Sequence, residues 1–141
     1  NCRMGDPETE VVIPRMEEDL VDLFIELKQP KAFRRTAKTT FRAAVTTVAV
    51  SQGYPGPYSV GKPITGFEQD KQDILFYHAG TRLDTDGQVI TAGGRVLAVT
   101  ALAASLSEAA YVCRQSLQQI QFEGMYYRRD IGYEFEDPGI R

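Results

Sequence analysis

The sequence predicts an α+β protein: an amphipathic helical front and, beyond residue 40, a small β-rich, barrel-like unit carrying one helix. Three observations carry that expectation. Apolar residues recur at helical spacing between Val11 and Leu27, and short β-branched, alternating runs replace them after Arg42. Further on, Ser105-Leu106-Ser107-Glu108 has the pattern of a capping box, which opens a helix.

In the front part, Val11, Val12, Ile13, Met16, Leu20, Leu23, Phe24 and Leu27 form one stripe, with Glu17, Glu18, Asp19, Asp22 and Glu26 opposite. The acidic side reads as a solvated face rather than a metal cluster. Pro14 suits a first helical position, so one helix is expected over 14–28, stopped by Gln29-Pro30-Lys31. Lys31, Arg34, Arg35, Lys38 and Arg42 form a basic run, read first as an exposed linker over 31–42 and second as an anion site. Three parts follow: 1–30, the linker 31–42, and 43–141.

In the last part, Ala43 to Val50 reads as a mostly buried strand. Gly53-Tyr54-Pro55-Gly56-Pro57-Tyr58 is a rigid loop, either a ligand clamp or an ordinary connection. Gly61 to Gly66 is a further loop with a short extended piece. Ile74 to Ala79 is a second strand; its His78 reads as a structural residue and enters no mechanism. Asp84-Thr85-Asp86-Gly87 marks a hairpin turn, and Gly93-Gly94 turns the chain into an apolar strand over Arg95 to Leu102. The capped helix places Leu106, Ala109, Ala110, Cys113, Leu117 and Ile120 inward. The tail from Phe122 to Gly132 is aromatic and basic without a period. Its Arg128-Arg129 pair beside tyrosines suits anion recognition, or else a surface strand paired with acids.

Composition narrows the class. The 141 residues are 43% hydrophobic with a net charge of −3, giving no electrostatic reason to expect nucleic acid or anionic lipid. No apolar run approaches the roughly 20 residues a spanning helix needs. Cys2 and Cys113 lack metal spacing and suggest a reducing compartment, with the cytosol expected. No phosphate-binding Gly-rich loop, nucleophile elbow or zinc motif is present. The chain begins with neither Met nor a secretory signal, and reads as a segment of something longer.

The densest polar stretch is Asn1-Cys2-Arg3-Met4-Gly5-Asp6-Pro7-Glu8-Thr9-Glu10. Gly5 frees the backbone and Pro7 restricts Asp6, so a turn aiming Arg3, Asp6 and Glu8 at one point is expected. A solvated acidic turn capping the next helix is the alternative. Physical reading alone ends at a loop fit for an anionic or metal-bound ligand, attached to a β-rich domain.

The stretch from Asn1 to Thr9 closely resembles the signature of the glycinamide ribonucleotide synthetase (phosphoribosylamine–glycine ligase) family of ATP-grasp enzymes in purine biosynthesis. Five later blocks resemble that family in order: Ser51-Gln52-Gly53-Tyr54-Pro55-Gly56, Ile64-Thr65-Gly66, His78-Ala79-Gly80-Thr81, Gly93 to Thr100, and Phe122 to Gly132. Met4, where an aromatic is usual, and Gln52, where Lys is frequent, depart from the pattern. The resemblance implies that 1–30 is the tail of an ATP-grasp domain and 43–141 a barrel-sandwich-like C-terminal domain. It also implies a parent enzyme joining glycine to 5-phosphoribosylamine through a glycyl phosphate, with ATP as co-substrate and Mg²⁺ or Mn²⁺ as metal. The fragment alone is expected to be inactive. By the same resemblance Asn1 is a metal ligand, and Arg3 faces the transferring phosphoryl group. Asp6 and Glu8 lie near the amine or ribose of the second substrate, and Arg95 and Arg128 with Asp130 close over the ribose phosphate. Two rivals are a non-catalytic docking module and a sister carboxylate–amine ligase.

Overall fold

The computed structural model describes residues 3–28, 36–66 and 72–135. Asn1, Cys2, the helix stop at 29–31 and Arg34 and Arg35 of the basic run lie outside them. Its element order is α1 (Thr9–Val12), a 3₁₀ turn (Ile13–Arg15), α2 (Leu20–Glu26), then strands β1 (Ala43–Ser51), β2 (Ile74–His78), β3 (Thr81–Leu83), β4 (Val89–Thr91) and β5 (Arg95–Ala103). Helix α3 (Leu106–Leu117), β6 (Met125–Tyr126) and a 3₁₀ turn (Tyr133–Phe135) complete it. The architecture is α+β with antiparallel sheets and few helices. No helix among the described residues is long and apolar enough to cross a membrane.

In place of the single helix expected over 14–28, the chain ends a 3₁₀ turn at Arg15, breaks, and forms only the short α2; α1 lies before Pro14. Pro14 sits in the 3₁₀ turn, and Met16 turns extended (φ −74°, ψ 133°) to bridge Thr39. Asp19 then starts α2 afresh, its carboxylate accepting from the amides of Val21 and Asp22. Tertiary pairing thus overrides a continuous apolar period. The extended stretch also gathers residues 38–42: Thr40 N donates to Arg15 O (2.8 Å), Glu17 N to Lys38 O (3.1 Å), and the Arg15 guanidinium to the carbonyls of Arg42 and Thr40. Arg42 of the basic run is itself bound to Asp73 (2.6 Å) and to the Leu102 carbonyl. Phe24 and Leu27, expected to face inward, are 58% and 53% exposed.

A four-stranded antiparallel sheet runs β2-β5-β1-β6, with β3 and β4 as a separate hairpin. Strand β5 is central and buried on both sides, from Val96 to Ala101. Strand β1 alternates: Val45, Thr47, Ala49 and Ser51 are buried while their neighbours are half-buried. The buried side packs against α3, where Ala109, Ala110 and Cys113 let the helix approach closely and Leu117 fills the space. Cys113 Sγ donates to Val99 O (3.2 Å). Burying a leucine such as Leu117 contributes about 1.5–3 kcal/mol. Ser105 caps α3, accepting from Glu108 N (3.2 Å). Glu108 returns the bond to the amide of Ala104, one residue before the cap. Of the inward set expected for this helix, Leu106 alone is exposed, at 38%.

The expected hairpin is present. Asp84 Oδ1 accepts from the amides of Asp86 and Gln88 (both 2.9 Å), and Gly87 takes the positive φ of +79° that closes the turn. The extended piece after Gly61 bridges it to the region after α3: Pro63 pairs with Ile90 and Thr65 with Gln121. The tail, without a period in sequence, pairs Met125 and Tyr126 with Ser51 and Val50 of β1.

Candidate functional site

The second face of the β1–β5 pair meets the N-terminal loop. Thr100, fully buried, donates its hydroxyl toward the Glu10 carbonyl (3.1 Å) and lies 2.9 Å from the Thr46 hydroxyl across the strands. These bonds hold α1 on the sheet. The turn before it is closed locally: Gly5 N donates to Glu8 Oε2 (2.7 Å) and the Thr9 hydroxyl to Gly5 O (2.7 Å). Glu8 is thus engaged in the turn, and Asp6 projects beyond it.

Arg95 reaches Asp6 through a break in strand register. Ala49 pairs with Leu97 but Val50 pairs with Arg95, leaving Val96 as an extra residue. With strict alternation Arg95 would share the α3-facing side of Leu97, Val99 and Ala101. The bulge reverses the phase and turns Arg95 to the other face. There its Nη2 binds Asp6 Oδ1 at 2.7 Å, and its Nη1 lies 3.5 Å from Asp6 O. The backbone around this point is tightly folded: Ser51 N donates to Gly94 O, and Gly80 N to Arg95 O. A Cβ on Gly94 would run into the Tyr54 ring, so glycine there is what allows the Tyr54–Tyr58 loop to lie across the start of β5.

Between loop, sheet and tail lies a cleft of about 430 Å³. Val48 and Val50 of β1 and Ile131 supply apolar walls, Tyr54, Tyr126 and Tyr127 supply rings, and Asp6, Arg95 and Arg128 supply charge. Such a mainly apolar hollow with a few convergent polar groups suits a small ligand. Arg128 forks onto Asp130 through two bonds of 3.0 and 2.8 Å, which holds the Asp130 carboxyl below its ordinary value and the guanidinium above its own. Glu10 lies behind Asp6. Burial, then the charge of Asp6, pushes its carboxyl upward against the pull of Arg95, and its Oε2 has no hydrogen-bond partner among the described residues. Tyr77 of β2 is pushed up as well, by burial and by the Glu10 charge.

Of the expected site residues, the structure gathers Asp6, Arg95 and Arg128 in one cleft, with Asp130 bound to the last. Glu8 serves the turn. Arg3 is exposed, with Nη1 3.4 Å from Met4 O. Asn1 is outside the described residues, which contain no cluster of His, Cys, Asp and Glu able to hold a metal ion. Glu10 was legible only as one more acid in the opening stretch, because the burial of its Oε2 depends on how α1 meets the sheet.

A family model described as phosphoribosylglycinamide synthetase, C domain, matches residues 44–134. This chain belongs to that family. The chain is 41% identical over 134 residues to a phosphoribosylamine–glycine ligase of Yersinia pestis, covering 94% of this chain and 31% of that protein. It is 40% identical, over 94% of its own length and 16% of the relative's, to a bifunctional purine biosynthetic protein of Dictyostelium discoideum. A solved phosphoribosylamine–glycine ligase from Thermotoga maritima superposes with a TM-score of 0.75 at 32% identity, over 92% of this chain and 32% of that one. The chain therefore spans about a third, or less, of the length of these relatives.

Proposed function

We propose that this chain is the C-terminal part of an ATP-dependent ligase that joins glycine to 5-phosphoribosylamine in purine biosynthesis. Similarity to phosphoribosylamine–glycine ligases over 94% of the chain carries the reading. The cleft supports it, because Asp6 and Arg95, far apart in sequence, meet there together with Arg128. Residues 1–30 are read as the tail of the ATP-grasp portion, and the chain alone as inactive, in keeping with a cytosolic purine enzyme.

In this mechanism glycine carboxylate attacks the γ-phosphate of ATP, releasing ADP and giving glycyl phosphate; the amine of phosphoribosylamine then attacks its carbonyl carbon, losing a proton and expelling phosphate to leave the amide. The work of this chain is placement and charge neutralisation. Arg95 and Arg128 receive the ribose phosphate, since a guanidinium fork stays charged and pairs two oxygens at once. Asp130 orients Arg128, Asp6 accepts from the amine or ribose hydroxyls, and Glu8 keeps the turn that presents Asp6. Arg3 faces the transferring phosphoryl group. Asn1 would supply one oxygen ligand to Mg²⁺ or Mn²⁺, a hard cation that favours such oxygens.

The test uses the full-length ligase containing this segment. Replacing Arg95 and Arg128 together by Gln raises KM for phosphoribosylamine at least about tenfold with a smaller effect on kcat. Arg3→Ala lowers kcat. An unchanged KM in the double variant assigns both arginines to structure.

A further inference from the structure

The cleft's best-placed cation is already occupied. Arg95 holds Asp6 at 2.7 Å, and its field also acts on Glu10, whose Oε2 is buried without a hydrogen-bond partner among the described residues. One guanidinium therefore offsets two carboxylates. An anion that takes Arg95 leaves Asp6 beside Glu10 with that counter-charge withdrawn, and like charges so placed repel. Arg128, the cleft's other guanidinium, is forked onto Asp130. A bare anion thus opens the Asp6–Arg95 pair at an electrostatic loss. A ligand carrying both an anion and hydrogen-bond donors replaces both halves of the pair.

We propose that the Asp6–Arg95 pair is a specificity lock, opened by a ligand that brings a phosphate to Arg95 and amine or hydroxyl donors to Asp6, and closed to simple phosphate. The proposal rests on reading the cleft as a sugar-phosphate site. It adds that discrimination comes from a contact made before the ligand arrives, in which removing a favourable ion pair is the cost a wrong ligand meets.

The experiment titrates this chain with inorganic phosphate and with ribose 5-phosphate, followed by calorimetry and by the arginine side-chain NMR signals. The wild type is expected to favour ribose 5-phosphate. Asp6→Asn raises the affinity for inorganic phosphate about tenfold and narrows the ratio between the two probes, while Arg95→Gln loses both. Thr100→Val loosens the same loop without touching the ion pair, and keeps the wild-type ratio. If Asp6→Asn leaves phosphate binding unchanged or weaker while Arg95→Gln still loses both probes, the lock is overturned and the anion site stands. If Thr100→Val narrows the ratio as much as Asp6→Asn, loop anchoring carries the selectivity and the lock is overturned. If Arg95→Gln changes nothing, or no form binds either probe, the sugar-phosphate reading falls and takes the lock with it.

Discussion

The two faces of the β1–β5 pair are closed by different physics. Under α3, the side chains of Ala49, Val99, Ala101, Cys113 and Leu117 are fully buried and almost wholly apolar. Under the N-terminal loop, contact is made through a threonine hydroxyl on a carbonyl, one exposed-edge ion pair and a cleft walled by valines and tyrosines. The first face is specified by volume, and it tolerates little change. The second is specified by a few directional polar contacts, which a ligand can exchange for its own. A close-packed side and an exchangeable side on the same two strands give a rigid platform with an adaptable surface.

The largest expected effect breaks the packed face. Leu117→Ala removes a fully buried side chain and costs about 2–5 kcal/mol, read as a lower midpoint in chemical denaturation with an unchanged slope. A midpoint within error of the wild type would mean that this face is not the stabilising one. Gly94→Ala comes next. Its methyl group collides with the Tyr54 ring, so a loss of about 1–3 kcal/mol is expected, together with a shift of the Tyr54 and Tyr58 ring resonances. Ser105→Ala removes the cap of α3 and costs about 1 kcal/mol by thermal melting.

The smallest effect sharpens the contrast on the cleft side, through pH. Glu10 is raised above its ordinary value by burial and by Asp6, with Arg95 acting the other way and Tyr77 facing it from β2. A carboxyl raised in the folded state binds its proton more tightly there than in the unfolded chain. Its ionisation therefore costs stability progressively as pH rises from the ordinary carboxylate value through the raised one, and the cost is absent below both. Because much of this side chain is in contact with water, the cost is discounted to roughly 1 kcal/mol or less. Glu10→Gln is expected to melt higher than the wild type at pH 7, with the difference vanishing in acid. A variant that melts lower at pH 7 would show that the ionised carboxylate stabilises the loop.

The difference between the faces also explains what could be read in advance. The helix-facing side is written in local pattern: the alternation of Val45, Thr47 and Ala49 and the Ser105 cap each depend on near neighbours in sequence. The cleft side depends on partners far along the chain. The break at Met16 follows from pairing with Thr39, and no period in residues 11–27 announces it. Tyr126 joins the cleft because its strand pairs with Val50, which two residues of irregular sequence do not reveal.

Local pattern was enough for the α+β class, most strand positions and the capped helix, and the family resemblance named Asp6, Arg95 and Arg128 as candidates. Which way Arg95 points, that Asp6 already holds it, and that one Glu10 oxygen is buried nearby are decided by contacts between segments far apart in the chain. The physical reason is that side-chain direction along a strand follows a period of two until a bulge resets it. The extra residue at Val96 is fixed by pairing across strands rather than by the residues beside it.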